Sequence, residues 1–446
     1  MRRSSPPVAA ALGALVLAAT TISCDAVLSK GGPTPSHDLA RDGSRDGATG
    51  ADVSPGDATV ATDGKLKPDS PPADSKPPTD SKPTADSKPA DSKPPADSKP
   101  AADSKPADSS TPTSPCAPKC CTTPLPPEAQ LLNTSNPKTV VGTGTAASCT
   151  YSALAAAIAQ GGIITFNCGS VPVTINITAT LELPTNCNTV IDGGHTVTLD
   201  GGGSVRILRW NSPGWMTNTH ALTLQRLTLV NGKATGTIAI PPCPAPCSQG
   251  FNDGEGGALY MRDGALRVID SVFTGNQAAP LGPDTGGGAI YVLGGQPVFI
   301  AGSTFKNNHA SNAGAIGTLF AEDNIYDSLF DGNKAIGTGA NNDDPSQCSC
   351  INNGQHQVGS GGNGGAIYSD GVGLDVTICG TTIKNNTANE FGAAIFFTSN
   401  DQSNKGTLTI RDSTLTNNKG NGVWQAAPGI STNASFPTPI NSVIQP

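Results

Sequence analysis

A short phrase recurs down the C-terminal half of this chain, and its recurrence leaves few folds open. Gly256-Gly257-Ala258-Leu259 is followed by Ser271-Val272-Phe273-Thr274-Gly275-Asn276. The pair returns as Gly287-Gly288-Ala289-Ile290 with Ser303 to Asn308, then as Gly314-Ala315-Ile316 with Ser328 to Asn333. It returns twice more, as Gly364-Gly365-Ala366-Ile367 with Thr381 to Asn386, and as Gly392-Ala393-Ala394-Ile395 with Ser413 to Asn418. Most phases lie about 25 to 32 residues apart, which is a solenoid period. Between the two phrases apolar residues alternate with polar ones, at Leu266/Val268, Val298/Ile300, Val376/Ile378 and Leu408/Ile410. A period of two marks a strand with one face turned inward.

Each column of the repeat has a physical role. Stacked coils bury the apolar column continuously. Ser271, Ser303, Ser328, Thr381 and Ser413 form a hydroxyl column. The asparagines fall at a turn, where stacked amides can hydrogen-bond along the axis as they do in cross-β stacks. Paired glycines let the backbone turn sharply and pack closely. Asp323 interrupts the apolar column, so its coil is expected to be irregular. Shorter β-like runs reach back to Ile163, with no helical period of any length.

The GGAI and FxxN phrases resemble the repeats of the chlamydial polymorphic outer-membrane proteins. More broadly, the pattern resembles the right-handed parallel β-helix of the pectin-lyase-like superfamily. The resemblance implies an all-β chain, a right-handed parallel β-helix solenoid over residues 163–425. Those relatives carry a C-terminal autotransporter barrel; here only Lys419 to Pro446 follows the last phrase. Self-secretion through a barrel is not implied, and residues 426–446 are expected to form a cap or tail.

The N-terminal half has a different character. Residues 1–23 read as a secretory signal, with Arg2, Arg3 and an apolar Val8–Ala19 run too short to span a bilayer. Cys24 follows Thr21-Ile22-Ser23, which resembles a bacterial lipobox, although Thr21 stands where leucine is usual. The alternative is an ordinary signal peptide with an incidental cysteine. Lipidation at Cys24 implies a membrane partner through the acyl chains. It also implies a cell-envelope location, the outer membrane or surface of a Gram-negative bacterium. Residues 24–115 carry DSKP at Asp74, Asp80, Asp86, Asp91, Asp97 and Asp103 with no apolar companion. No core offsets the ordering entropy there, so a disordered linker is expected. At roughly 3.1 Å per residue it would reach up to about 250 Å. Residues 116–162 read as a cysteine-containing N-terminal cap. In it Ser152 is a candidate N-cap for a short capping helix that Gly161-Gly162 ends.

Twelve cysteines point to an oxidising compartment. A zinc reading of Cys116, Cys120 and Cys121 needs a second ligand pair, and no histidine lies nearby. A disulfide knot is preferred, with Cys149, Cys168 and Cys187 as further candidates. The net charge of −8 argues against a nucleic-acid partner.

Two long insertions interrupt the repeat, Gly232–Glu255 and Lys334–Asn363, leaving the same corner three coils apart. At about 4.8 Å per coil their bases are roughly 15 Å apart. Each carries two cysteines, Cys243 and Cys247 in one, Cys348 and Cys350 in the other. Cross-loop pairing is the preferred arrangement, which leaves Cys379, opposite Arg411 on an outward column, as a spare thiol. Each loop also carries acids, Asp253 and Glu255, then Asp343 and Asp344. They are candidates for a Ca²⁺ site, since carboxylates suit a hard cation. The plainer reading is that surface loops accept insertions freely.

An enzyme of this superfamily, a polysaccharide lyase or glycoside hydrolase, needs carboxylates flanking the bond. Asp343-Asp344 sits in an insertion rather than on a strand, and Gly194-His195-Thr196 forms no catalytic set with the other histidines. Arg267 and Arg411 are outward without acids in register. No catalytic residue is assigned. The reading is a non-catalytic envelope-anchored scaffold, an adhesin binding carbohydrate or a surface protein. Its alternatives are that enzyme class and a purely structural envelope protein.

Overall fold

The computed structural model describes residues 120–235, 254–280, 285–337, 361–399, 405–421 and 425–446, with only the backbone of 351–352 and 355–356. The chain winds as a right-handed parallel β-helix, the hand that parallel crossovers take. Each coil contributes one strand to each of three nine-stranded sheets. In one coil these are Ile290–Leu293 (sheet I), Val298–Ala301 (sheet II) and Thr304–Lys306 (sheet III). His309–Ala310 then joins a four-stranded sheet IV before the chain returns to sheet I. Paired strands extend beyond 163–425, from Thr139–Val141 in sheet II to Val443–Ile444 in sheet III. Among the described residues no helix is long and apolar enough to cross a membrane.

The inward columns stack in strict register. Sheet I aligns Leu208, Leu259, Ile290, Ile316, Ile367 and Ile395. Sheet II aligns Ile191, Leu224, Val268, Ile300, Ile325, Ile378 and Ile410. Sheet III aligns Leu229, Phe273, Phe305, Phe330, Ile383 and Leu415. All are buried in one continuous core. Phe273, Phe305 and Phe330 stack with centroids 4.9 and 4.8 Å apart, the coil spacing itself, so the rings add offset stacking to area burial.

Both polar columns are buried and fully used. The asparagine ladder runs Asn276, Asn308, Asn333, Asn386, Asn418, each Nδ2 donating to the next Oδ1 at 2.9 to 3.0 Å. The same Oδ1 also accepts the preceding asparagine's backbone N–H. Each Nδ2 donates a second bond to a carbonyl of the coil before. In the hydroxyl column Ser271 N–H donates to Ser303 Oγ, and so on through Ser328, Thr381, Ser413 and Ser442.

The residue before each column has positive φ, and through the central coils Asp or Asn there alternates with Gly. Before the hydroxyls stand Asp270, Gly302, Asp327, Gly380 and Asp412; before the asparagines stand Gly275, Asn307, Gly332, Asn385 and Asn417. The alternation is steric. A Cβ on Gly302 would lie 2.2 Å from Asp270 Oδ1, and one on Gly332 would lie 2.7 Å from Asn307 Oδ1. In the central coils the Asx side chain leans over the glycine of the next coil; at the C-terminal end Asx stacks on Asx instead, Asn417 Nδ2 donating to Asn385 Oδ1 at 2.7 Å and Asn441 Nδ2 to Asp412 Oδ1 at 2.6 Å.

The opener glycines meet backbone, not side chain. A Cβ on Gly314 would sit 2.1 Å from Gly365 O and 2.4 Å from Lys334 N. Neither atom can swing away. Gly314→Ala is expected to lose about 3 kcal/mol or more, read as a lower urea midpoint at unchanged slope.

Asp323 does not make its coil irregular. It pairs in register between Val298 and Val376 and is fully buried. Thr318 Oγ1 donates to Asp323 Oδ2 at 2.7 Å and lies 3.1 Å from Ser369 Oγ. The coil keeps its shape by housing a small polar group inside the core.

The capping helix spans Tyr151–Ile158 and buries Leu154, Ala157 and Ile158 against the first coils. Its N-cap is Thr150, whose hydroxyl accepts the Ala153 N–H at 3.2 Å, two residues before the expected Ser152. Cys149 and Cys168 form a disulfide beside it. Residues 120–134, within the stretch expected as the cap, instead run outside sheet II, against the direction of winding. Cys121 N donates to Asp327 Oδ1, and Thr122 N and Oγ1 donate to Asp412 Oδ2. Leu125 and Ala129 pack on Ile269, Phe299, Ala301 and Tyr326. Leu132 exchanges hydrogen bonds with Gln225, and Thr134 reaches Asp192. Cys379 is not a spare thiol: it is bonded to Cys121. Sequence alone could not pair cysteines 258 residues apart, because the strap that joins them has no repeat.

Candidate functional site

The corner between the two insertions carries a column of basic side chains. Sheet IV and its flanking bridges align Lys233, Gln277, His309, Lys334, Thr387 and Lys419. The neighbouring positions Ala234, Ala278, Ala310, Ala335 and Ala388 are buried. Alternation therefore turns the column outward. Lys334 and Lys419 are exposed, and Lys233 and His309 are half-buried. The bases of the two insertions thus stand three coils apart on one column.

Among the described residues, none of the three lysines forms a salt bridge, whereas nearby Lys384 reaches Asp331 at 3.8 Å. The His309 pKa is pushed below its ordinary value, first by burial and then by Lys334 and Lys233. The imidazole thus senses both lysines. Like charges one to three coils apart cost the fold free energy, and an anion laid along the column would offset that cost.

Of the acids read from the loops, Asp253, Asp343 and Asp344 lie outside the described residues, as do Cys24, Cys116, Cys243, Cys247, Cys348 and Cys350. Glu255 is fully buried. Arg206 lies beside it, donating Nε and Nη2 to the Glu255 carbonyl and feeling its carboxylate. Glu255 is thus buried with its carboxylate within electrostatic reach of the Arg206 guanidinium. Arg206 also lies 5.3 Å over the Tyr260 ring, which stacks on Tyr291. Cys120 and Cys187 are disulfide-bonded. Among the described residues, the grouping at metal-ligand distances is Cys121, Cys379 and Asp412, and its two sulfurs are bonded to each other.

The sequence reading missed the basic column, although its signal is present. Gln277, His309, Lys334, Thr387 and Lys419 each follow a ladder asparagine directly. A second feature was missed as well. Trp215 is 44% exposed on a loop held by Asp263, whose carboxylate accepts Thr217 N and Asn218 N. Arg262 lies 5.5 Å over its ring, and Phe320 meets its edge.

The fold and columns define a parallel β-helix built on ladder-forming repeats. A family model described as the Chlamydia polymorphic membrane protein repeat matches residues 270–293 and 327–370. The chain is similar to that repeat family over those two stretches, which include the Ser-x-Phe-x-x-Asn phrase. Comparison with curated proteins and with solved structures finds no match.

Proposed function

We propose that this protein is a non-catalytic β-helix scaffold displayed at the bacterial outer surface, which binds an acidic carbohydrate along the Lys233–Lys419 column. The observation that carries the reading is that column, whose three lysines form no salt bridge among the described residues, in a chain of net charge −8. At about 4.8 Å per coil the three lysines stand roughly 14 and 10 Å apart, so an extended polyanion laid along the column would meet one at every second or third coil. The repeat match supports the surface location, and lipidation at Cys24 is the proposed anchor, tested by palmitate labelling.

Binding to a glycan array and to polyuronides, with and without Ca²⁺, tests the function. Lys233→Glu and Lys334→Glu are each expected to weaken acidic-glycan binding roughly tenfold, and added salt should weaken the wild type in the same way. Neutral glycans should be unaffected. Depolymerisation of a polyuronide would replace this reading with the lyase or hydrolase one. Binding that survives both charge reversals would move the site elsewhere, with Trp215 the first place to look.

A further inference from the structure

The disulfide between Cys121 and Cys379 has a carboxylate against one of its sulfurs. Cys379 is 2% exposed and Asp412 is 4% exposed, and Asp412 Oδ2 lies 3.9 Å from Cys379 Sγ. Asp412 is held there from two sides. Thr122 N and Oγ1 donate to its Oδ2, and Asn441 Nδ2 donates to its Oδ1. Asp327, one coil before Cys379, accepts Cys121 N. Burial raises the Asp327 pKa, the Cys121 N–H opposes the shift, and the Asp412 charge adds to it. The Asp412 charge is therefore felt across the coil of Cys379. Arg411 pairs with Cys379 in register but is exposed, where water and salt screen it.

Thiol–disulfide exchange needs an attacking thiolate at one sulfur and a departing thiolate at the other. Burial closes the approach to Cys379. Cys121 is partly exposed, so attack falls on its sulfur. A new S–S bond then forms between the incoming sulfur and Cys121 Sγ, the old bond breaks, and its electron pair goes to Cys379 Sγ. The departing thiolate is thus formed in a buried place beside a carboxylate. Both features disfavour the anion, and a poor leaving group slows exchange.

We propose that Asp412 guards the Cys121–Cys379 bond against thiol attack, so that this pairing, once made, does not reshuffle. The need for such a guard is set by the sequence. Cys120, next to Cys121, holds a disulfide of its own, and twelve cysteines allow many wrong pairings. The effect is kinetic: the carboxylate opposes a departing thiolate and leaves a protonated thiol unaffected. It concerns this one bond and does not depend on what the solenoid binds.

The oxidised full chain is held with excess glutathione at about pH 8, where thiols ionise appreciably. Acid quenching and peptide mapping by mass spectrometry then give the opening rate of each bond. Cys149–Cys168, whose residues are also buried, is the internal reference. Asp412→Asn should open Cys121–Cys379 at least about tenfold faster, with the reference unchanged. Asparagine tolerates the positive φ of position 412, and circular dichroism checks that the variant is folded. Asp412→Glu keeps the charge, and Thr122→Val loosens the strap without changing charge; both should stay within about threefold of the wild type. In the wild type the glutathione adduct should form on Cys121, a result that needs no variant. The proposal is overturned if Asp412→Asn opens at the wild-type rate. It is also overturned if Thr122→Val or Asp412→Glu opens as fast as Asp412→Asn, or if the wild-type adduct is found on Cys379.

Discussion

Replacing Asn308 by alanine is expected to cost about 4 kcal/mol, in the upper part of the range for truncating a buried aliphatic of similar size. Asn308 sits mid-ladder with no exposed surface. Its Oδ1 accepts from Asn276 N and Asn276 Nδ2, and its Nδ2 donates to Phe273 O and Asn333 Oδ1. Alanine removes one side chain but strands polar atoms on two neighbouring coils, where water cannot reach them. A buried group that loses its partner costs about 1–3 kcal/mol. Asn308→Asp should be at least as harmful despite its shape, because it sets a carboxylate oxygen against Phe273 O and Asn333 Oδ1. Thr304→Ala, on the outward face of sheet III, should stay within about 0.5 kcal/mol. Urea denaturation of the three variants gives the comparison; an Asn308→Ala midpoint close to that of Thr304→Ala would contradict it.

The second large effect is a pH dependence lodged in one side chain. Asp323 is fully buried, Thr318 serves one of its oxygens, and Oδ1 has no hydrogen-bond partner among the described residues. Burial pushes its pKa up from 3.8 to about 7; the Thr318 and Ser369 hydroxyls oppose the shift, and the Glu322 charge adds to it. The sign follows from proton binding. Below pH 4 the carboxyl is protonated in both the folded and unfolded chain. Between pH 4 and 7 the folded chain keeps a proton that the unfolded chain has lost, so stability falls as pH rises. Above about 7 both forms are ionised and the full penalty stands. Three pKa units correspond to about 4 kcal/mol. Asp323→Asn should therefore match the wild type near pH 4 and exceed it by about that amount at pH 8. Parallel stability curves for the two proteins would refute the assignment.

How much of this was legible in the sequence depended on periodicity. The inward aliphatics, the hydroxyl column and the asparagine ladder repeat in every coil, so five occurrences side by side were enough to predict stacking. The Gly-Gly openers were legible for the same reason. Features that occur once were not. The strap has no internal repeat, and its partners Asp327, Gln225 and Asp412 look like ordinary turn or surface residues in the sequence. The Cys121–Cys379 bond is invisible without it. Asp323 was visible as an anomaly, but that Thr318 would reach it depended on which atoms face each other inside the core. The basic column lay hidden between the two signals being read. Its residues follow the asparagines, yet no single residue type recurs there, since Gln277, His309, Lys334 and Thr387 occupy successive coils.

The antiphase of Asx and Gly at the two positive-φ turns bears on how such a chain can change length. From the coil of Ser271 to that of Thr381, a coil with Asp before its hydroxyl has Gly before its asparagine, and the next coil reverses both, from Asp270/Gly275 to Gly302/Asn307 to Asp327/Gly332 to Gly380/Asn385. Deleting the single coil that contains Gly302 would place Asp270 against Asp327, two carboxylates one coil apart in a space shaped for glycine. Deleting two coils would restore the alternation. Through the central coils the smallest piece that keeps the alternation is therefore a pair, and a gene encoding this stretch is expected to grow or shrink by double repeats; the last coils, where Asn417 already pairs with Asn385 and Asn441 with Asp412, are free of that rule.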